Sequence, residues 1–354
     1  MSTDTLIEDS ANRLFAEQVQ KAHRERAERG ELDAALWQQV VDGGFPLLLA
    51  SEASGGFGQS WLAAYPLLRG LGYWQVPLPL AETMVAGLLA SVAGFELPAG
   101  PTTLIEQGRG NALVVEGNNV SGTAHAVPWA RHADAALVSL ADGRLALLPI
   151  KGAAGVQVQP QANVAGLPSD TLVLTNAKLT AAAANPLALA QPVWTLGAVA
   201  RSIMLVGALE SAVEQAVRYA GERVQFGKPI GKNQAIQQNL ALMAGDVAAA
   251  RTAALVAAAD APDSVARDTT ATHFSTAVAK VRAGEAATRG AGIAHQVHGA
   301  IGFTHEHSLH FATKRLWAWR EEFGTDAHWA AELGRAAIRA RAAGFWPGIT
   351  HKLF

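Results

Sequence analysis

The chain contains no cysteine. Disulfide scaffolding, thiolate nucleophiles and Cys-ligated zinc or iron–sulfur centres are therefore excluded. Charge is sparse as well: 16% of residues are Asp, Glu, Lys or Arg, and the formal net charge is -2. With so small a balance there is no global basic field, and no nucleic acid is expected as a partner. No basic segment followed by an apolar core opens the chain; Asp4, Glu8 and Asp9 come first instead, which argues against a signal peptide. The most apolar stretch, residues 84–94, is about half of what a membrane span needs. A soluble, cytoplasmic protein without a membrane span is the expectation. What is abundant is hydrophobic side chain, half of the 354 residues. That is enough for two or three cooperating layers and leaves apolar surface for a subunit interface.

Three regions follow one another. Residues 1–98 read as an N-terminal helical domain. There Leu32, Ala35, Leu36 and Val40 recur at a helical period, and Gly43-Gly44 stops the helix. Pro77 and Pro79 bracket the entry into another helix near Ala81. Residues 99–188 read as a small middle β-domain, barrel-like in type. Residues 112–122 have strand composition, 135–149 form a hairpin turned by Asp142-Gly143, 156–159 alternate, and 171–174 make a further short strand. Residues 189–354 are helical again. Val199, Ile203, Val206, Leu209, Val213, Ala216 and Tyr219 define one apolar stripe, and Ile236, Leu240, Met243 and Val247 another. With segments 268–297 and 326–344 these predict a C-terminal four-helix bundle. The fold class is α+β, mainly α.

Two segments carry candidate chemistry. In Arg223-Val224-Gln225-Phe226-Gly227-Lys228-Pro229-Ile230 a guanidinium offers a fork of donors that matches two phosphate oxygens. Gln225 adds an amide donor and acceptor. Each charge-assisted hydrogen bond there would contribute about 1.5–3 kcal/mol. The plain alternative is an exposed arginine at a helix C-terminus, where a cation is favourable anyway. The second segment runs from His295 and Gln296 to Gly299, Ala300 and Gly302, a glycine-rich helix end. Five histidines crowd this region: His295, His298, His305, His307 and His310. With no acid cluster converging on them in sequence, they read as helix-surface or interface residues, and no metal is expected.

Together the two segments resemble the paired cofactor-holding motifs of the acyl-CoA dehydrogenase family. The resemblance implies FAD as cofactor and an acyl-CoA thioester as substrate. The implied reaction is α,β-dehydrogenation, with electrons passing to an electron-transfer flavoprotein. It also implies that Arg223, Gln225 and Phe226 reach across a dimer interface to the FAD diphosphate of a neighbouring subunit. Asn233 and Gln234 would add contacts, and Gln296, Gly299 and Ala300 would meet the adenosine half. Ala300 stands where the family has a second glycine.

Other family features are missing. Residues 101–108 lack the Thr-Glu-Pro-x-x-Gly-Ser-Asp-like loop that wraps the flavin ring, and Pro128 stands where a ring-supporting hydroxyl belongs. The family's catalytic glutamate commonly precedes a Gly-Thr pair; before Gly324-Thr325 this chain has Phe323. Glu322, one position earlier, is the candidate base, although one step along a helix turns a side chain by about 100°. The alternative is that Glu321 and Glu322 form a solvated pair beside Arg320. A second family position for the base corresponds to Gly197. Trp317, Trp319 and Trp329 either line a pocket for a bulky substrate or serve as core anchors. Two functions follow from the resemblance. One is a flavin-dependent acyl-CoA dehydrogenase. The other is a non-catalytic partner subunit that completes the FAD site of a heteromeric dehydrogenase, like the short subunit of the α2β2 steroid side-chain enzymes. Either is expected as a homo- or hetero-oligomer, a dimer of dimers.

Overall fold

The computed structural model describes residues 3–265 and 268–354. Five helices come first: α1 (Thr3–Gln18), α2 (Lys21–Glu28), α3 (Ala34–Asp42), α4 (Trp61–Tyr73) and α5 (Leu80–Ala93). Side-chain oxygens set two of their starts. Asp33 accepts from the Leu36 amide at 2.9 Å, and Ser60 accepts from the Ala63 amide at 3.2 Å. The buried face of α3 is Leu36, Trp37 and Val40, whereas Ala35 is exposed. The indole removes far more apolar area from water than a methyl, so it takes the inward position. In α5 every residue from Leu80 to Ala90 is buried. The apolar stretch at 84–94 is thus part of a core helix.

The middle region is two separate sheets, and no closed barrel occurs among the described residues. One sheet joins β1 (Thr102–Glu106), β4 (Ala135–Ser139), β5 (Arg144–Pro149) and β8 (Ala181–Ala184) in the order β1-β4-β5-β8. The other joins β2 (Ala112–Glu116), β3 (Asn119–Pro128), β6 (Val156–Gln159) and β7 (Ser169–Lys178) in the order β2-β3-β7-β6. The 135–149 hairpin forms with Leu137 opposite Leu147. Strand β1 runs parallel to β4 and is buried at every residue. A strand covered on both faces loses its alternation, which is why residues 102–106 carry no strand signal.

Helices return with α6 (Pro192–Glu222), α7 (Gln234–Asp260), α8 (Thr270–His298), α9 (Leu309–Glu321) and α10 (Asp326–Thr350). The four that pack on one another are α6, α7, α8 and α9; α10 lies against α8. The fourth bundle helix is therefore α9, within a histidine-rich stretch that reads as polar surface, rather than the 326–344 segment. Two helices, α6 and α7, are long and apolar enough to cross a membrane by length and composition alone. They, not residues 84–94, are the longest apolar elements. For α6 the explanation is burial: 83% of its apolar window is inside the protein, against 33% for α7. Where α4 crosses α6 the backbones nearly touch. A Cβ added at Gly207 would sit 1.9 Å from the Arg69 carbonyl oxygen, and one added at Gly72 would sit 1.9 Å from that of Met204. This glycine pair locks the N-terminal helices to the bundle.

Candidate functional site

The phosphate-type motif begins where α6 ends. Arg223 leaves the helix in an extended conformation. The two-residue strands Val224–Gln225 and Lys228–Pro229 then pair antiparallel, with Gln225 opposite Lys228. Their connection is Phe226-Gly227, with φ of 52° and 78°. Positive φ at both central residues is what a type I′ hairpin turn requires. Glycine adopts it freely, but a side-chain-bearing residue pays about 1–2 kcal/mol. Phe226 is nonetheless held there with its ring 100% exposed.

Facing this hairpin is the end of α8. Gly299 closes the helix at φ 62° and ψ -143°. Arg223, Gln225, Phe226, Asn233, Gln296, Gly299 and Ala300 line one groove of about 560 Å³. Two segments some seventy residues apart in sequence are thereby brought together. Gln234, the first residue of α7, is exposed and is not part of the lining. The side chain of Asn233 caps α7, accepting from the Ala235 amide at 3.0 Å. Arg223 is exposed, and no carboxylate pairs with it among the described residues. A Cβ built on Gly227 or Gly299 meets nothing within 4 Å, so both glycine backbones are open to a ligand.

A second cavity, about 480 Å³, lies between the sheets and the bundle, with Glu106, Asn163, Trp194, Glu322 and Phe323 among its walls. Both oxygens of Glu322 are engaged here. One accepts from Arg201 Nε at 2.6 Å and the other from Asn163 Nδ2 at 3.0 Å. Arg201 is buried in α6, and its other face pairs with the buried Glu82 of α5. Burial alone would lower the Arg201 pKa, but the two carboxylates outweigh it and hold the guanidinium above its usual range. Beneath the turn, Lys280 Nζ donates to the carbonyls of Trp319, Arg320 and Glu322 at 3.2, 3.1 and 2.8 Å. Burial pulls this ammonium down to about 7. The Phe323 ring then folds back onto α6. Its nearest carbon is 2.5 Å from where a Cβ on Gly197 would stand.

Comparison with known proteins identifies the chain. Residues 188–344 match "Acyl-CoA dehydrogenase, C-terminal domain" and residues 2–94 match "Acyl-CoA dehydrogenase, N-terminal domain". The chain belongs to the acyl-CoA dehydrogenase family. Acyl-CoA dehydrogenase FadE27 of Mycobacterium tuberculosis is 31% identical over 78% of this chain and 81% of its own length. Among solved structures, a chain of the ChsE4-ChsE5 complex from Mycobacterium tuberculosis is 26% identical with a TM-score of 0.85, covering 97% of this chain and 99% of its own. A chain of the Tcur3481-Tcur3483 steroid ACAD is 25% identical with a TM-score of 0.83, covering 96% and 98% respectively.

The cleft keeps three carboxylates in its walls, Glu106, Glu321 and Glu322. Phe323 and Gly197 occupy the two positions that the resemblance assigns to a catalytic base. They touch in space, and neither carries an acid. Glu322 is not the solvated residue of the alternative reading: its side chain is 14% exposed and tied to Arg201, and it lines the cleft. Only Glu321, 57% exposed, pairs with Arg320. The sequence signal for this anchor is that Arg201 is the one charged residue in the apolar run 192–209 that opens α6. Trp319 and Trp329 are buried core anchors, the latter donating to the Phe323 carbonyl at 3.0 Å; Trp317 is 41% exposed. Among the described residues no group of histidines and acids is arranged to hold a metal.

Glu106 is the acid that sequence inspection misses. At the buried end of β1, it accepts from the Trp194 amide at 2.9 Å, and burial pushes its pKa up to about 7. The folded chain thus holds this proton more tightly than the unfolded one, whose carboxyl sits near the ordinary 4.5. Its contribution is fully present below that value and is lost as pH rises through about 7. At about 1.4 kcal/mol per pKa unit the loss reaches up to about 3 kcal/mol. Glu106→Gln keeps an acceptor for Trp194 and removes the ionisation. Its stability relative to the parent is therefore expected to improve steadily from pH 5 to pH 8 in thermal unfolding. A constant difference across that range would show that Glu106 ionises freely.

Proposed function

We propose that this chain is the non-catalytic partner subunit of a heteromeric acyl-CoA dehydrogenase. In this reading it completes the FAD site of a catalytic neighbour. The observation that carries it is the contact between Phe323 and Gly197, two acid-free residues at the two base positions. The Arg223 groove, by contrast, retains the donor set that suits the ADP half of FAD: an unpaired guanidinium, the Gln225 and Gln296 amides and two open glycine backbones. Arg223 would clamp the diphosphate and Gln296 would meet the adenosine portion. Phe226 would leave solvent by entering the neighbour's surface, and the apolar window of α7, 33% buried, is a face that a dimer of dimers could cover. When bound, FAD supplies the hydride acceptor for the acyl-CoA thioester. This chain's residues hold and orient it, and the neighbour's carboxylate removes the α-proton. Electrons would leave through an electron-transfer flavoprotein. The steroid ACAD named among the similar structures suggests a bulky acyl group for the complex.

A second reading, a self-sufficient dehydrogenase, draws on Glu322 lining the cleft. It requires that carboxylate to leave Arg201 and Asn163. A visible-absorbance scan separates the two. The purified chain alone is expected to be colourless and unable to reduce a dye with acyl-CoA, whereas co-expression with its catalytic partner subunit is expected to yield a yellow, active complex. Stoichiometric flavin and acyl-CoA-dependent dye reduction in the chain alone would overturn the proposal.

A further inference from the structure

Beside Arg223, Gln225 and Gln296, the groove's lining includes one residue with a buried polar atom that has no partner among the described residues. His298, the last residue of α8, is 3% exposed and lines the groove beside Gln296 and Gly299. Its Nδ1 lies 2.7 Å from the Ala294 carbonyl oxygen. A carbonyl only accepts, so Nδ1 carries the proton and the neutral ring's lone pair is on Nε2. Burial favours that neutral form, holding the imidazole below the usual histidine range. Nε2 itself is buried and has no hydrogen-bond partner among the described residues. The ring is not free to seek one. It stacks on Tyr219 with centroids 4.7 Å apart and 24° between planes, and His307 stands edge-on at 4.6 Å.

A native fold seldom leaves a buried acceptor unmade without a reason, and an absent ligand is one such reason. We propose that His298 Nε2 accepts a hydrogen bond from the nucleoside half of a bound nucleoside diphosphate or dinucleotide, from a base amine or a ribose hydroxyl. His298 then reads the nucleoside while Arg223 reads the phosphates, so it is a specificity-determining residue rather than a catalytic one. The inference rests on the reading of the groove as the ADP half of an FAD site. It adds a discriminating contact that phosphate recognition alone does not supply.

Calorimetric titration of the full chain, assembled with its catalytic partner and stripped of flavin, with ADP and with inorganic pyrophosphate tests it. His298→Phe keeps a ring against Tyr219 and removes the acceptor. It is expected to weaken ADP about 5–20-fold and to leave pyrophosphate within about twofold. His298→Gln, which can place an amide oxygen near Nε2, is expected to recover most of the ADP affinity. On the unmodified complex, 2′-deoxy-ADP or inosine diphosphate should bind more weakly than ADP by a similar factor, and whichever does so names the donor. This arm stands even if His298→Phe fails to fold. Equal weakening of ADP and pyrophosphate in His298→Phe, or no preference for ADP over both analogues, would overturn the role of His298 and leave the groove assignment intact. If the unmodified complex binds neither probe, or binds both without sensitivity to Arg223→Ala, the groove assignment falls and the inference with it.

Discussion

Arg201→Met is expected to lower the unfolding free energy by about 3–5 kcal/mol, the largest loss of any single substitution considered. Arg201 is buried between two carboxylates, Glu82 from α5 and Glu322 from the turn after α9. Removing it takes away the cation that pairs with both and leaves both charges in a low-dielectric interior. Urea denaturation of the isolated chain measures the loss as a shift in midpoint at unchanged slope. Replacing all three members with apolar side chains of similar volume is expected to cost much less, because it removes the stranded charges together with their partner. A loss below about 1 kcal/mol for Arg201→Met alone would mean that water reaches the triad, as it does for exposed ion pairs. Glu322 would then be freer than its contacts suggest, and the self-sufficient reading would regain its base.

The triad also marks where sequence stops being informative. Its members are 119 and 121 residues apart along the chain, and nothing local couples them. The Arg223 groove is legible because each half is a contiguous motif at a helix end, where glycine, proline and a cation have positional meanings of their own. Gln234, which the resemblance pairs with Asn233, is not among the residues that line the groove. The helices α6 and α7 announce themselves through 3.6-residue stripes, and the 135–149 hairpin through Asp142-Gly143. Strand β1 and helix α9 do not announce themselves. The former is covered on both faces, and in the latter the buried Leu309, Phe311 and Leu316 are interleaved with His310, Lys314, Arg315 and Arg320. The fold is set largely by local periodicity. The state of the cleft is set by side chains that meet only after folding, such as the Phe323 ring upon Gly197.

Arg223→Ala is expected to weaken FAD binding by the assembled complex about 10–150-fold while leaving the isolated chain's melting temperature unchanged. The binding estimate is the loss of one charge-assisted hydrogen bond at about 1.5–3 kcal/mol, at tenfold per 1.4 kcal/mol. The stability estimate follows from exposure: the side chain pairs with no carboxylate among the described residues, so its loss strands nothing inside the protein. Arg223→Lys separates charge from geometry. An ammonium keeps the Coulomb attraction but lacks the planar fork, so intermediate retention is expected. Flavin fluorescence released during dialysis of the co-expressed complex reports all three proteins on one scale. Retention equal to the parent's in Arg223→Ala would place the diphosphate elsewhere. The hairpin would then be only a protein–protein contact, with Phe226 rather than Arg223 as its working residue.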